Sequence, residues 1–235
     1  CLLTCIIAAA PASRAAAPIP VMLLDGESGG PYHDWRRVSA ALKKILDETG
    51  LFQVTVVTAP AATGELTSFA PAFGKYQAIV MNYDAPDERW PASLKTSFEE
   101  YMTTGGGLVS VHATNNGFSG WPAFNEMIGV GGWRNRTEQA GPYWYVRNGT
   151  LVSDTTPGEA GSHGRRVPFR VAVRDTHHPI TKGLPPVWMH QGDELYARLR
   201  GPGKNMKVLA TAFSSPDNAG SGRDEPQLMV VDYGK

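Results

Sequence analysis

The chain is poor in cysteine, with only Cys1 and Cys5 among its 235 residues. Both stand in a short apolar stretch that runs into small residues, a pattern typical of a secretory signal and its cleavage site. We therefore expect residues 1–17 to be an export signal that is truncated at its start, and the protein to be periplasmic or extracellular. The alternative is a small buried N-terminal helix. Once the signal is removed no cysteine remains, which excludes disulfides, cysteine-ligated zinc and a thiol nucleophile.

Net charge is also absent, because 22 Lys and Arg balance 22 Asp and Glu. A nucleic-acid-binding protein usually carries a basic surplus, so we expect no nucleic-acid partner. No apolar run is long enough to cross a bilayer, so we expect no membrane span. Charged residues are few (19%) while Gly (26) and Pro (18) are plentiful. This composition indicates a compact core covered by long ordered loops, rather than long solvated helices.

Two motif classes are missing as well. The chain has no Gly-x-Gly-x-x-Gly after a strand, no Gly-Lys-Ser/Thr loop and no His-Glu-x-x-His pair. These absences remove support for nucleotide binding and for a helical zinc-protease site. A divalent metal held by scattered His, Asp or Glu side chains stays compatible with the sequence.

The first half of the sequence alternates buried strands with amphipathic helices. It predicts strands at 19–24, 53–58, 77–83 and 108–113 and helices at 35–48, 91–104 and 123–128. Strand–helix repeats of this kind form a parallel sheet with right-handed crossovers. We therefore expect an α/β fold, flavodoxin-like and doubly wound around a mainly parallel sheet.

The pattern changes after residue 129. Residues 133–164 are rich in aromatic, glycine and polar residues and give few periodic signals, whereas 167–174, 206–213 and 227–232 are predicted strands. We expect a loop-rich, β-containing C-terminal elaboration within one domain, 18–235.

Polar side chains collect where the predicted parallel strands end, which is where ligands bind in open sheets. The first strand ends at Asp25 and is followed, beyond a glycine-rich turn, by His33. Asn82 lies near the end of the third strand, and His112 lies near the end of the fourth. In a flavodoxin-like order these strands are neighbours, so His33, Asn82 and His112 are expected to face one cleft. An imidazole there can be a general base, a general acid or a metal ligand. The alternative for His112 is a hydrogen-bonded structural histidine.

Further candidates come from later in the chain. His190, Asp193 and Glu194 form a cluster whose carboxylates could act as base or acid, bind sugar hydroxyls, hold a metal, or simply be solvated. His163 lies in a glycine-rich loop that could close over the cleft. Trp133 belongs to an aromatic-rich segment that could stack on sugar rings or could pack within the fold.

Several short segments resemble the ThuA-like proteins, named for trehalose utilisation. In the order that the family has them, they read GGGLVSVHA (105–113), HPITKGLP (178–185), DELY (193–196) and YGK (233–235), and the early His33-Asp34-Trp35 is similar to the family's first loop. The resemblance implies a flavodoxin-like sheet of the class I glutamine-amidotransferase-like fold that has lost the amidotransferase cysteine, with His112 in its neighbourhood. It also implies a role in sugar catabolism, on oxidised disaccharides such as 3-keto-glycosides. Because family members continue into a further strand and a Gly-His pair, we expect the domain to lack its last strand.

We therefore expect an enzyme that cleaves or rearranges a 3-keto-glycoside or disaccharide by acid–base chemistry, as a hydrolase or lyase. The predicted catalytic residues are His112, His33, Asp193 and Glu194, and the predicted substrate contacts are Asp25, Asn82, Trp133, His163 and His190. Two alternatives stay open. One is a non-catalytic carbohydrate-binding protein, and the other is a metal-dependent hydrolase with His33, His112 and either His163 or His190 as ligands. The expected partner is a sugar or glycoside, and a homo-oligomer is compatible with the sequence.

Overall fold

The computed structural model describes residues 16–28 and 32–235. The expected export signal lies almost entirely outside these residues and stays a prediction. Four parallel strands form the first sheet: β1 (Ile19–Asp25), β2 (Phe52–Thr58), β3 (Ala78–Met81) and β4 (Gly107–Ser110). Their order is β2-β1-β3-β4, which confirms the flavodoxin-like arrangement and places β1, β3 and β4 side by side.

Helices cover both faces of this sheet, as a doubly wound fold requires. The helices are α1 (Trp35–Glu48), α2 (Ala92–Thr103) and α3 (Pro122–Ile128). Asp34 caps α1, since its carboxylate accepts a hydrogen bond from the backbone N–H of Arg37. Side chains alternate across a strand, so Val21 packs with Leu42 of α1, whereas Met22 joins the larger core cluster that includes Phe98 of α2. Within the described residues, no helix is both long and apolar enough to span a membrane.

The fourth strand is shorter than predicted. It ends at Ser110 instead of continuing through His112, and residues 112–116 form a 3-10 turn. His112 has φ of 42°, in the left-handed region, where a residue cannot continue a strand ladder. The turn is tied to β3 because the Thr114 hydroxyl donates to the carbonyl of Met81 and accepts from the N–H of Tyr83.

The C-terminal elaboration is larger than expected, and it is a second, antiparallel sheet. Its strands are β5 (Tyr143–Arg147), β6 (Thr150–Asp154), β8 (Val167–Val173), β9 (Val187–Asp193), β11 (Met206–Phe213) and β12 (Asp224–Val231), in the order β6-β5-β12-β11-β8-β9. A separate ribbon pairs β7 (Ser162–His163) with β10 (Tyr196–Ala197). The fold is therefore α/β with a parallel sheet of four strands beside an antiparallel sheet of six.

The segment predicted to be loop-rich, 133–164, contains the β5–β6 hairpin. Its turn is Asn148-Gly149, and both residues have positive φ, 52° and 78°. This is the geometry of a two-residue type I′ turn, for which Asn-Gly is the preferred sequence. The signal was present in the sequence, but the surrounding aromatic and glycine content obscured it.

Candidate functional site

The carboxylate of Glu194 lies at the centre of a cluster of basic side chains. Its Oε2 is 3.5 Å from Nε2 of His33 and 3.7 Å from Nε2 of His112. Its Oε1 is 3.9 Å from Nε2 of His163 and accepts hydrogen bonds from the guanidinium of Arg166. The Glu194 side chain is only 7% exposed, so its carboxylate is largely shielded from solvent, whereas Arg166, at 56%, is exposed.

Both sheets contribute to this cluster. His33 follows β1 and His112 follows β4, and their rings lie 5.0 Å apart, edge to face. Glu194 follows β9 in the antiparallel sheet, and Arg166 directly precedes β8. The predicted convergence of His33 and His112 is therefore present in the structure, with a carboxylate from the other sheet between them.

Tyr196 supplies a hydroxyl to the cluster. Its ring packs 4.2 Å from the ring of His112, and its hydroxyl lies 3.2 Å from Nε2 of His33. The amide nitrogen of Asn116, which can only donate, points at the same hydroxyl from 3.4 Å. The hydroxyl can donate its proton to Nε2 of His33 when that imidazole carries its own hydrogen at Nδ1. That Nδ1 is buried and has no hydrogen-bond partner among the described residues.

His163 is positioned by the short ribbon, in which it is the cross-strand partner of Tyr196. Its Nδ1 lies 2.8 Å from the backbone carbonyl of Gly164. A carbonyl can only accept, so Nδ1 carries the hydrogen and Nε2 carries a lone pair that faces Glu194. The His163 side chain is 39% exposed, so this lone pair is accessible from the cavity.

Burial and neighbouring charge shift the pKa values of the cluster. Burial, and then the nearby imidazole of His33, lower the pKa of His112 below its usual range. Burial alone would raise the pKa of Glu194, but the hydrogen bond from Arg166 and the adjacent histidines outweigh it and hold that pKa low. Burial raises the pKa of Tyr196 to about 12. Glu194 is consequently a carboxylate at neutral pH, which suits an orienting role better than proton donation.

The cluster opens into a cavity of about 710 Å³. This volume lies within the range of about 300–1,000 Å³ that is typical of small-molecule sites. Besides the cluster, its lining includes Glu27, Asp84, Asn116, Trp133 and Arg134. An adjoining cavity of about 490 Å³ shares His33 and Glu194 and adds Asn82, His112 and Asp193.

Two of the predicted substrate contacts lie away from both cavities. Asp25 is 2% exposed, and its carboxylate accepts from the hydroxyl of Thr58, so it ties the ends of β1 and β2 together. His190 lies within β9, stacks on Phe169 at 4.8 Å and is bonded through Nδ1 to the carbonyl of Gln191. His190 is close to Glu194 in sequence but does not join the cluster, because it lies within β9 while Glu194 follows the end of that strand.

The other predicted residues do line the cavities. Trp133 packs 4.5 Å from the ring of Tyr196, and its backbone has a positive φ of 54°. The amide nitrogen of Asn82 is occupied by the carbonyl of Trp35 and the hydroxyl of Ser39, so it fixes the start of α1. Asp193 is exposed and accepts from the N–H of Glu194.

Sequence reasoning missed several groups at the site. Arg166 belonged to no motif, and Tyr196 was noticed only as part of the family-like segment DELY, without a role at the site. Residues 26–30 also spell Gly-x-Ser-x-Gly, the pattern of a nucleophile elbow. Ser28 lines both cavities, but its hydroxyl donates to the backbone carbonyl of His33 at 2.7 Å, so its proton is not directed at an imidazole.

Glu27 is a further missed group, buried at the cavity wall. Its Oε2 accepts from Nε of Arg89 at 2.7 Å and from the hydroxyl of Tyr83 at 3.0 Å. On the same side, the carboxylate of Asp84 is paired with Arg134 at 2.8 Å. These two carboxylates of the cavity lining are therefore each paired with an arginine.

Comparisons with known proteins agree with the fold. The family model described as trehalose utilisation (ThuA) matches residues 21–235. The solved structure of a ThuA-like protein from Parabacteroides merdae ATCC 43184 is 42% identical, with a TM-score of 0.87, and the match covers 93% of this chain and 76% of that chain. A ThuA-like protein from Bacteroides uniformis ATCC 8492 is 19% identical with a TM-score of 0.62, covering 96% and 87%, which shows a likeness of fold alone. No curated protein matched the chain.

Proposed function

We propose that this chain, which belongs to the ThuA (trehalose utilisation) family, cleaves a 3-keto-glycoside by acid–base chemistry. The family indicates a carbohydrate-related role, and the cavity has the size and polar lining of a small-molecule site. The observation that carries the proposal is the arrangement of a proton-accepting imidazole, His163, and a proton-donating phenol, Tyr196, on paired positions of one ribbon. Both lie beside the Glu194 carboxylate.

The proposed reaction is an elimination followed by hydration. A ketone at C3 acidifies the hydrogen on C2, so a base removes that proton while the C1–O glycosidic bond breaks and a C1=C2 double bond forms. The leaving oxygen takes a proton from an acid. Water then adds across the double bond, with hydroxide at C1 and the proton at C2, and the net result is hydrolysis.

His163 fits the role of the base better than His112, which we expected from the sequence. Its hydrogen is held at Nδ1 by the carbonyl of Gly164, so the accepting nitrogen is defined and faces the cavity. The charge of Glu194, 3.9 Å away, stabilises the imidazolium that forms. His112 packs closely between His33 and Tyr196, where its ring is less free to approach a substrate carbon.

Tyr196 fits the role of the acid. Its hydroxyl is protonated at neutral pH and is held between Asn116 and His33 at the wall of the cavity. Trp133, which packs against the same ring, offers an apolar face for a sugar. The Arg166–Glu194 pair fixes the carboxylate between these groups, so Glu194 is assigned an orienting and charge-stabilising role.

The test is a turnover assay on matched plain and 3-keto disaccharides with wild type, His163→Ala and the control His177→Ala, an exposed histidine in a distant turn. We expect turnover of the keto-sugar only, because a plain sugar lacks the acidified C2 hydrogen. His163→Ala should lower kcat about 10²- to 10⁴-fold, and His177→Ala should leave it unchanged. Wild-type binding without turnover would instead establish a carbohydrate-binding protein, and an active His163→Ala would place the base elsewhere.

A further inference from the structure

We propose that Nε2 of His33, Nε2 of His112 and Oε2 of Glu194 bind one divalent transition-metal ion of the Zn²⁺ type. The ligand atoms of these three residues all lie within 4.8 Å of one another. Two imidazoles and one carboxylate form a donor set that occurs in catalytic zinc sites, where three protein ligands leave a fourth position open. The inference extends the proposed function and rests on it only for the role of the ion in catalysis.

The distances fit a shared ion better than hydrogen bonds. Oε2 of Glu194 is 3.5 Å from one imidazole nitrogen and 3.7 Å from the other. Hydrogen bonds from nitrogen to oxygen usually span about 2.7–3.2 Å. Ligands bound at about 2.0–2.1 Å to a tetrahedral ion lie roughly 3.4 Å apart. The two distances from Oε2 of Glu194 to the histidine nitrogens therefore match the spacing of ligands around an ion better than that of direct hydrogen bonds.

The two oxygens of Glu194 are divided between separate tasks. Oε1 accepts from Arg166, which fixes the rotation of the carboxylate, while Oε2 is directed at the two histidines. Partners outside the ligand set orient ligands in this way at many metal sites. In the tautomer that accepts from the Tyr196 hydroxyl, His33 also presents a lone pair at Nε2. Coordination would use that lone pair and release the Tyr196 hydroxyl toward the cavity.

The open position would face the cavity that holds Trp133 and His163. A 3-keto sugar carries hydroxyls on both carbons beside the ketone, so its carbonyl oxygen could take the open position and one neighbouring hydroxyl could add a fifth ligand. An ion there would withdraw electrons from the C3 carbonyl and stabilise the negative charge that develops on its oxygen as His163 takes the C2 proton. The substrate class that this site selects is an α-hydroxyketone sugar, and plain glycosides lack the carbonyl ligand.

The test measures metal binding apart from turnover. The full chain is stripped with EDTA and titrated with Zn²⁺ or Co²⁺, and bound metal is counted by elemental analysis and followed by the visible absorption of Co²⁺. Wild type, the non-ligand variant His163→Ala and the control His177→Ala should each bind one ion. His112→Ala and the isosteric Glu194→Gln should bind at least about tenfold more weakly, and thermal unfolding verifies that each variant is folded.

The outcomes separate the two proposals. If wild type binds no ion, the proposed metal site is wrong. It is also wrong if every variant binds the ion equally well, because that result indicates an adventitious surface site. If EDTA-treated protein without metal still cleaves the keto-sugar, the proposed function stands and the catalytic role of the ion fails. If one ion binds through His112 and Glu194 but no keto-sugar is turned over, the metal site stands and the proposed function fails.

Discussion

Removal of one oxygen, in Tyr196→Phe, separates the catalytic role of that side chain from its packing. The ring should keep its contacts with His112 and Trp133, at 4.2 and 4.5 Å, because the substitution leaves the ring unchanged. The lost hydroxyl takes part in two long hydrogen bonds, at 3.2 Å with His33 and 3.4 Å with Asn116. Such bonds are worth about 1 kcal/mol each or less, so we expect a loss of stability of about 1 kcal/mol.

The expected loss of activity is much larger. Loss of a positioned proton donor typically slows a reaction about 10²- to 10⁴-fold, and the lower bound corresponds to about 2.7 kcal/mol in the barrier. The assay compares kcat and KM on one 3-keto disaccharide with the free energy of unfolding from urea titration.

Tyr143→Phe is the matched control for this experiment. Its buried hydroxyl donates to the carbonyl of Glu159 at 2.7 Å, away from both cavities. It should therefore cost similar stability and leave kcat unchanged. A Tyr196→Phe enzyme with kcat within threefold of wild type would refute the assignment of Tyr196 as the acid.

Two further predictions concern buried charges. Arg136 is 2% exposed and donates to three backbone carbonyls and to Oδ1 of Asn125. Because Arg136→Met leaves those acceptors unsatisfied, it should lower the free energy of unfolding by at least about 3 kcal/mol. Urea titration measures the change, and a loss under 1 kcal/mol would contradict this prediction. Burial raises the pKa of Glu225 in the folded state. The folded protein therefore keeps this proton up to a higher pH than the unfolded chain does, and stability should fall as the pH rises above about 4.3 and through the folded pKa. Glu225→Gln, which can still accept from Ser221, should flatten that decline in melts taken at stepped pH, and an unchanged slope would show that another group causes it.

The parallel half of the fold was predictable because its signals are local and repetitive. Alternating strands and helices predicted a parallel sheet, and in the flavodoxin-like order that we expected for it His33, Asn82 and His112 lie at one edge. The error at the end of β4 arose because a positive φ at His112 depends on how the following turn packs, and a histidine is only a weak sequence signal for it. The apolar run through Val111 therefore looked like uninterrupted strand.

The other half of the site was harder to predict because its contacts are remote in sequence. Arg166 and Glu194 are 28 positions apart and meet only because β8 and β9 are paired. The sequence contains no signal that shows which strands pair with each other. His190 shows the converse, since four positions along a strand carried it away from Glu194 although the two are close in the chain. Nearness in sequence is a weak guide wherever a strand intervenes.

The position of Glu194 between two sheets has a thermodynamic consequence. His33 and His112 follow strands of the parallel sheet, whereas Glu194 and Arg166 flank strands of the antiparallel sheet and His163 lies in the short ribbon beside it. The site therefore exists only while these two layers of the fold are docked. Any ligand held by both sets of residues binds the docked state alone. By mass action it adds about 2.7 kcal/mol to that docking at a concentration of 100 times its Kd. Ligand binding in the cavity and docking of the two layers are therefore linked equilibria. Local opening of the antiparallel layer should release the bound ligand.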